Sequence, residues 1–100
     1  MSFDYRALDQ TIHAPIRLAV MSVLATVEYA EFVALKEKTQ ATDGNLSVHL
    51  RKLEEAGYIL VTKQIVNRKP QSTYRITEQG RTAFRAYLAT IARMLEENTG

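Results

Sequence analysis

At Gly57 the spacing of apolar residues along the chain changes from three or four to two. Before it, Leu46, Leu50, Leu53 and Gly57 itself fall within one narrow sector at about 100° per residue, the period of an α-helix. After it, Ile59, Val61 and Ile65 alternate, and Tyr74 and Ile76 share one face of a second run, the period of a strand. Thr42 or Asp43 can cap the helix by accepting from its free first-turn N–H groups. Gly57 ends it by taking the left-handed conformation. The expectation is a helix over about 43–56 and a β-hairpin over about 58–77 with a long polar tip, Asn67 to Ser72.

The flanking segments are helical. From Pro15, which suits a first turn, Ile16, Ala19, Val20, Val23, Leu24 and Val27 recur at three and four residues with Leu18 and Met21 between them. A helix apolar on nearly all sides is expected at the centre of the core. Leu8 and Ile12 are spaced for one further turn, with Phe3 and Tyr5 as an arm, and Val27 to Ala30 is too short to classify, a brief edge strand being one reading. Phe32, Val33 and Leu35 begin a short helix to about Thr39, followed by a polar turn, Gln40 to Asp43. Thr77 caps a long final helix, about 78–97, whose stripe is Phe84, Tyr87, Leu88, Ile91, Met94 and Leu95. The fold class is therefore mainly α with a small β-hairpin, an α+β domain spanning residues 1–100.

One hundred residues hold material for one core, and 46% hydrophobic with 24% charged residues is the balance of a soluble globule. The absence of cysteine excludes disulfides, thiolate metal sites and Cys nucleophiles, hence any zinc finger. With only His13 and His49 as further ligands, neither a metal nor another cofactor is expected. His49 borders the core sector and is expected to be structural; His13, just ahead of Pro15, is expected to order the helix start. Ser22, Ser47 and Ser72 sit in no nucleophile motif, and no Gly-rich loop precedes a Lys-Ser or Lys-Thr pair, so no enzyme is expected. Asn45-Leu46-Ser47 matches a glycosylation sequon by chance. The first fourteen residues lack an apolar run, and the longest uncharged stretch, Leu18 to Val27, is too short to span a bilayer. The expected location is the cytoplasm, without a membrane partner.

Charge is unevenly placed. The net charge is only +2, yet residues 36 to 75 carry a surplus of four positive charges, which suits a polyanion or simply a solvated face. Opposite the leucines, the helix collects Gly44, Val48, Arg51, Lys52 and Glu55, with Asn45 and Ser47 on the flanks. Such a face fits a major groove, where Arg and Lys reach guanine acceptors, Asn pairs with adenine and Val packs on a thymine methyl. An ordinary solvated helix face is the competing reading. The hairpin tip adds Arg68 and Lys69 beside Pro70, cations suited to straddling a phosphate backbone or reaching into a minor groove.

The run Thr42-Asp43-Gly44-Asn45-Leu46-Ser47-Val48-His49-Leu50-Arg51-Lys52-Leu53-Glu54-Glu55-Ala56-Gly57-Tyr58, followed by Asn67-Arg68-Lys69-Pro70 and Thr73-Tyr74-Arg75-Ile76-Thr77, resembles the winged helix-turn-helix regulators of the MarR and ArsR type, in particular their small single-domain subgroup. The resemblance takes in Ile12-His13-Ala14-Pro15-Ile16-Arg17-Leu18 and so nearly the whole chain. It implies a three-helix core in which the third helix recognises DNA, the hairpin is a wing, and the terminal helices pair two subunits. Thr42, Gly44, Asn45, Ser47, Val48, Arg51 and Lys52 then face the duplex with Arg68 and Lys69 of the wing. Gln40 and Ala41 stand where these regulators usually have Gly and a larger apolar residue. Gln bears a left-handed backbone less easily than Gly, which leaves the tightness of that turn open.

The final helix, about 30 Å long, outreaches what the other elements of so small a chain can cover. Phe84, Tyr87, Leu88, Ile91 and Leu95 are therefore expected to pair two copies, with Phe3 and Leu8 as further contacts. The partners expected are double-stranded DNA and a second copy of the chain; no residue pattern identifies a small-molecule effector. The alternative is a winged-helix module in which the Val48 and Arg51 face meets a protein.

Overall fold

The computed structural model describes residues 4–99; Phe3 lies outside them. A 3₁₀ turn, Tyr5–Ala7, leads to α1 (Pro15–Leu24), β1 (Ala30–Glu31), α2 (Phe32–Thr39), α3 (Asp43–Glu55), β2 (Ile59–Val66), β3 (Lys69–Ile76) and α4 (Glu78–Thr99). The expected turn carrying Leu8 and Ile12 is a single one, separate from α1: Asp9 Oδ1 accepts from the N–H groups of Thr11 and Ile12, and His13 N–H closes on Asp9 O at 2.8 Å. Leu8 and Ile12 are buried there. Pro15 opens α1, which ends three residues before Val27 because Thr26 turns back on Val23 O with both its N–H and its hydroxyl. Val20, Met21 and Leu24 are wholly inaccessible, which makes α1 the centre of the core.

α2 and α3 are joined by a tight turn. Gln40 sits at φ 61°, in the left-handed region, and its side-chain amide donates to Glu37 O at 3.1 Å, satisfying one of the free carbonyls at the end of α2. The turn is thus closed by Gln in place of Gly. Thr42 Oγ1 caps α3 by accepting from Asn45 N–H at 3.2 Å. At the other end Gly57, at φ 81°, donates to Glu54 O, and Tyr58 N–H donates to Leu53 O, the paired bonds of a Schellman stop. Leu46, Leu50 and Leu53 are buried and meet Leu35 of α2 and the α1 residues in one cluster.

The sheet has the order β1-β3-β2, all antiparallel. Its register pairs Ile59 with Ile76 at the core end and Val66 with Lys69 at the far end. The long tip expected over Asn67 to Ser72 is corrected to a two-residue turn, Asn67 and Arg68, at φ 52° and 65°. Positive φ at both central residues matches the twist of the strands in a type I′ hairpin, and Arg68 occupies the position where Gly is favoured. Lys69 and Pro70 lie in β3. The pair after the turn-flanking one, Ile65 and Pro70, is the non-hydrogen-bonded kind, so the missing Pro N–H costs no ladder bond.

Candidate nucleic-acid interface

Packing of the three leucines of α3 inward fixes what faces outward. Thr42, Gly44, Asn45, Ser47, Val48, Arg51 and Lys52 are all exposed, Val48 at 50%. An added Cβ at Gly44 would meet nothing within 4 Å, so packing does not demand glycine there. Lys36 Nζ of α2 pairs with Asp43 Oδ1 at 2.7 Å across the turn. Both side chains are exposed, so the pair contributes little by itself, although a carboxylate on the first residue of α3 also suits the helix dipole.

Two side-chain pairs, Arg17 with His49 and Tyr58 with Asp9, anchor α3 and its flanks from behind. Arg17 of α1 donates from Nε to Thr11 O and from a terminal nitrogen to His49 Nδ1 at 2.8 Å. Because a guanidinium only donates, Nδ1 is the acceptor and the ring proton is on Nε2. Burial, then the charges of Arg17 and Lys52, hold the His49 pKa below its ordinary value, in keeping with a neutral ring. Tyr58, directly after the glycine stop, donates its hydroxyl to Asp9 Oδ2 at 2.5 Å, and that bond with burial pushes its pKa up to about 12. His13 does not order the start of α1, where Ala14 makes no side-chain cap; its Nδ1 lies 2.8 Å from the Tyr87 hydroxyl of α4.

Between α3 and the hairpin lies a groove of about 320 Å³, to which the helix contributes Ser47, Leu50, Arg51 and Glu54 and the strands Val61, Lys63, Ser72 and Tyr74. Alternation therefore divides the hairpin into an inner face looking at α3 and an outer face carrying Thr62, Gln64, Gln71, Thr73 and Arg75. Arg68 and Lys69 are exposed at its end. The nine residues singled out for DNA are thus presented on α3, its cap and the hairpin. Of these nine only Ser47 and Arg51 line the groove, where Lys63 and Ser72, not singled out for DNA from the sequence, stand with them; their signal was inner-face parity with Val61 and Tyr74.

α4 is fastened at its base. Thr77 Oγ1 accepts from Gly80 N–H at 2.9 Å and donates to Gly57 O at 2.7 Å, and Arg81 donates to Ala25 O at 3.2 Å. Gly80 lies so close to the residue leading into β2 that an added Cβ would stand 2.1 Å from Tyr58 O. Sequence reasoning missed this glycine, although an isolated Gly inside a helix usually has a packing reason. Phe84 and Tyr87 are buried in the chain's own core, Ile91 is half-buried, and Leu88 and Leu95 are 48% and 63% exposed. Among the described residues no three metal-ligating side chains converge, and no helix is long and apolar enough to cross a membrane.

Comparison with known proteins agrees with this geometry. The winged helix DNA-binding domain family matches residues 16–95. An uncharacterized protein of Methanocaldococcus jannaschii is 39% identical over 79 residues, 79% of this chain and 86% of that one. A transcriptional regulator homologue from Pyrococcus horikoshii OT3 has a similar structure, with a TM-score of 0.82 and 27% identity over 89% of this chain and 88% of its own. An ArsR family transcriptional regulator gives a TM-score of 0.64 at 25% identity, over 96% and 97% of the two chains. With the family match running from α1 into the last turns of α4, this chain belongs to the winged helix DNA-binding domain family and has the fold of transcriptional regulators.

Proposed function

We propose that the chain is a sequence-specific regulator of transcription that binds duplex DNA as a homodimer, with α3 in the major groove and the wing on the adjacent backbone or minor groove. The observation that carries this reading is the continuity of donor-rich surface from Asn45, Ser47 and Arg51 on α3, across the groove, to Lys63 and the exposed Arg68 and Lys69. Arg51 and Lys52 offer base or phosphate contacts. Gly44, near the capped start of α3, lets a phosphate approach the backbone closely.

α4 supports the pairing. Its 22 residues span about 33 Å, and among the described residues none after Tyr87 is buried. With Phe84 and Tyr87 occupied by their own core, the proposed seam narrows to Leu88, Ile91 and Leu95. A two-fold axis there relates the two α3 helices, so the operator is an inverted repeat, with half-sites about 34–36 Å apart if both helices enter one face of the duplex.

The test is affinity for random and selected duplexes across a salt series. A steep log-log loss of affinity with salt, and an Arg51→Ala variant that loses about 1–3 kcal/mol at one base position, support the proposal. Indifference to duplex DNA would sink it and leave the Val48 and Arg51 face to a protein partner.

A further inference from the structure

Ile65 is 76% exposed, the most exposed large apolar side chain among those described. The parity that turns Val61, Lys63, Ser72 and Tyr74 toward α3 puts Ile65 and its cross-strand partner Pro70 on the same inner face, about 13 Å further out than Val61. β1 pairs only with Thr73 and Tyr74, so beyond them the hairpin is a two-stranded ribbon with neither edge covered. Its inner face thus ends in an apolar pair between Lys63 and the turn residue Arg68, with Lys69 on the outer face beside Val66, and its turn holds Arg68 at a positive φ that glycine would take with less strain. Nothing in the fold rewards either arrangement: Ile65 and Arg68 are both exposed.

We propose that Ile65 and Pro70 form an apolar contact with the deoxyribose walls of the groove entered by the wing, while Arg68 and Lys69 hold the flanking phosphates. The inference rests on the DNA-binding reading and adds to it a part of the affinity that salt does not screen. Charge selects the occupant: a surface with cations around a small apolar centre complements a polyanion whose sugars are its apolar part. A minor groove about 6 Å wide admits side chains from the end of the ribbon but not the ribbon itself, and Ile65–Pro70 is the last pair of its inner face before the turn. Other minor-groove proteins place apolar side chains, Ile and Pro among them, in the groove as wedges between base steps.

The experiment compares the wild type with Ile65→Thr, Ile65→Val and Arg68→Ala on one selected duplex over a range of salt. Ile65→Thr keeps the β-branch that suits a strand, so thermal unfolding is expected to match the wild type. Its affinity is expected to fall about tenfold at every salt concentration with an unchanged slope, as loss of buried apolar surface requires. Ile65→Val is expected to retain most of the binding, and Arg68→Ala to reduce the salt slope by about one. Wild-type affinity in Ile65→Thr would overturn the proposal, as would a reduced slope, which would mean that Ile65 only positions cations. A change in sedimentation on Ile65→Thr would assign the pair to a subunit contact and overturn it too. Absence of duplex binding by the wild type would instead remove the DNA-binding reading itself, and this contact with it.

Discussion

Replacing Gly80 with Ala sets two effects against each other. Inside a helix Ala is favoured over Gly by about 1 kcal/mol. Against that, the new methyl would stand 2.1 Å from Tyr58 O, 2.9 Å from the carbonyl carbon and 3.0 Å from Ile76 Cγ1. Ordinary contact requires α4 to withdraw by about 1 Å or more. The carbonyl cannot yield freely, because Tyr58 O accepts from Thr77 N–H at 3.0 Å and the neighbouring Gly57 O accepts from the Thr77 hydroxyl. Overpacking of this kind costs about 1–3 kcal/mol, and loosening the Thr77 bond about 1 kcal/mol more. The clash outweighs the propensity gain, for a net loss of about 1–3 kcal/mol. In a domain of this size each kcal/mol moves Tm by about 4–8 °C, so thermal unfolding followed by far-UV circular dichroism should show a drop of about 4–24 °C. Gly44→Ala is the control: its methyl meets nothing within 4 Å, and it should leave Tm unchanged or raise it. A Gly80→Ala protein melting at or above the wild-type temperature would refute the argument that close approach, not helix propensity, governs this position.

Three further outcomes are expected. Arg68→Gly, which places the favoured residue in the Asn67–Arg68 turn, should raise Tm while weakening duplex binding; equal or tighter binding would dissociate the wing from DNA. His49 has a pKa held below its ordinary value, so the unfolded chain takes up the proton first: its contribution to stability is complete above about pH 6.5 and declines as pH falls toward the lower folded value. Tm measured from pH 7.5 to pH 5, roughly the range in which a histidine titrates, should therefore fall less in His49→Gln than in the wild type, and parallel curves would contradict the role of Arg17 and burial. Leu88→Asp, at a position 48% exposed, should leave the subunit folded but sediment as a monomer, losing most of the affinity gained from two linked half-sites; an intact dimer would move the seam elsewhere.

Periodicity was sufficient for α3 because it buries one face. Leu46, Leu50 and Leu53 could point inward only if Val48, Arg51 and Lys52 pointed out, so the exposed face of α3 followed from the spacing of its leucines. The ends of α3 were equally local, since Thr42 and Gly57 act on backbone groups within a few residues. The family resemblance, carried by this same stretch, agrees with the match over residues 16–95.

Other features depended on residues distant in sequence. The tight wing turn was hidden because Asn67-Arg68 lacks the expected glycine, and only the pairing of β2 with β3 imposes two left-handed residues there. Gln40 takes a left-handed conformation because α2 and α3 are both held against α1, and the packing of two helices outweighs a local preference of about 1 kcal/mol. The partners of His13 and Asp9 lie 74 and 49 residues away, at Tyr87 and Tyr58, beyond the reach of any spacing rule. The stripe on α4 shows in sequence as one uniform apolar face, yet Phe84 and Tyr87 meet their own core while Leu88 remains exposed. A helical period reports which residues share a face; how far along that face the rest of the chain extends is set by the packing of the other elements.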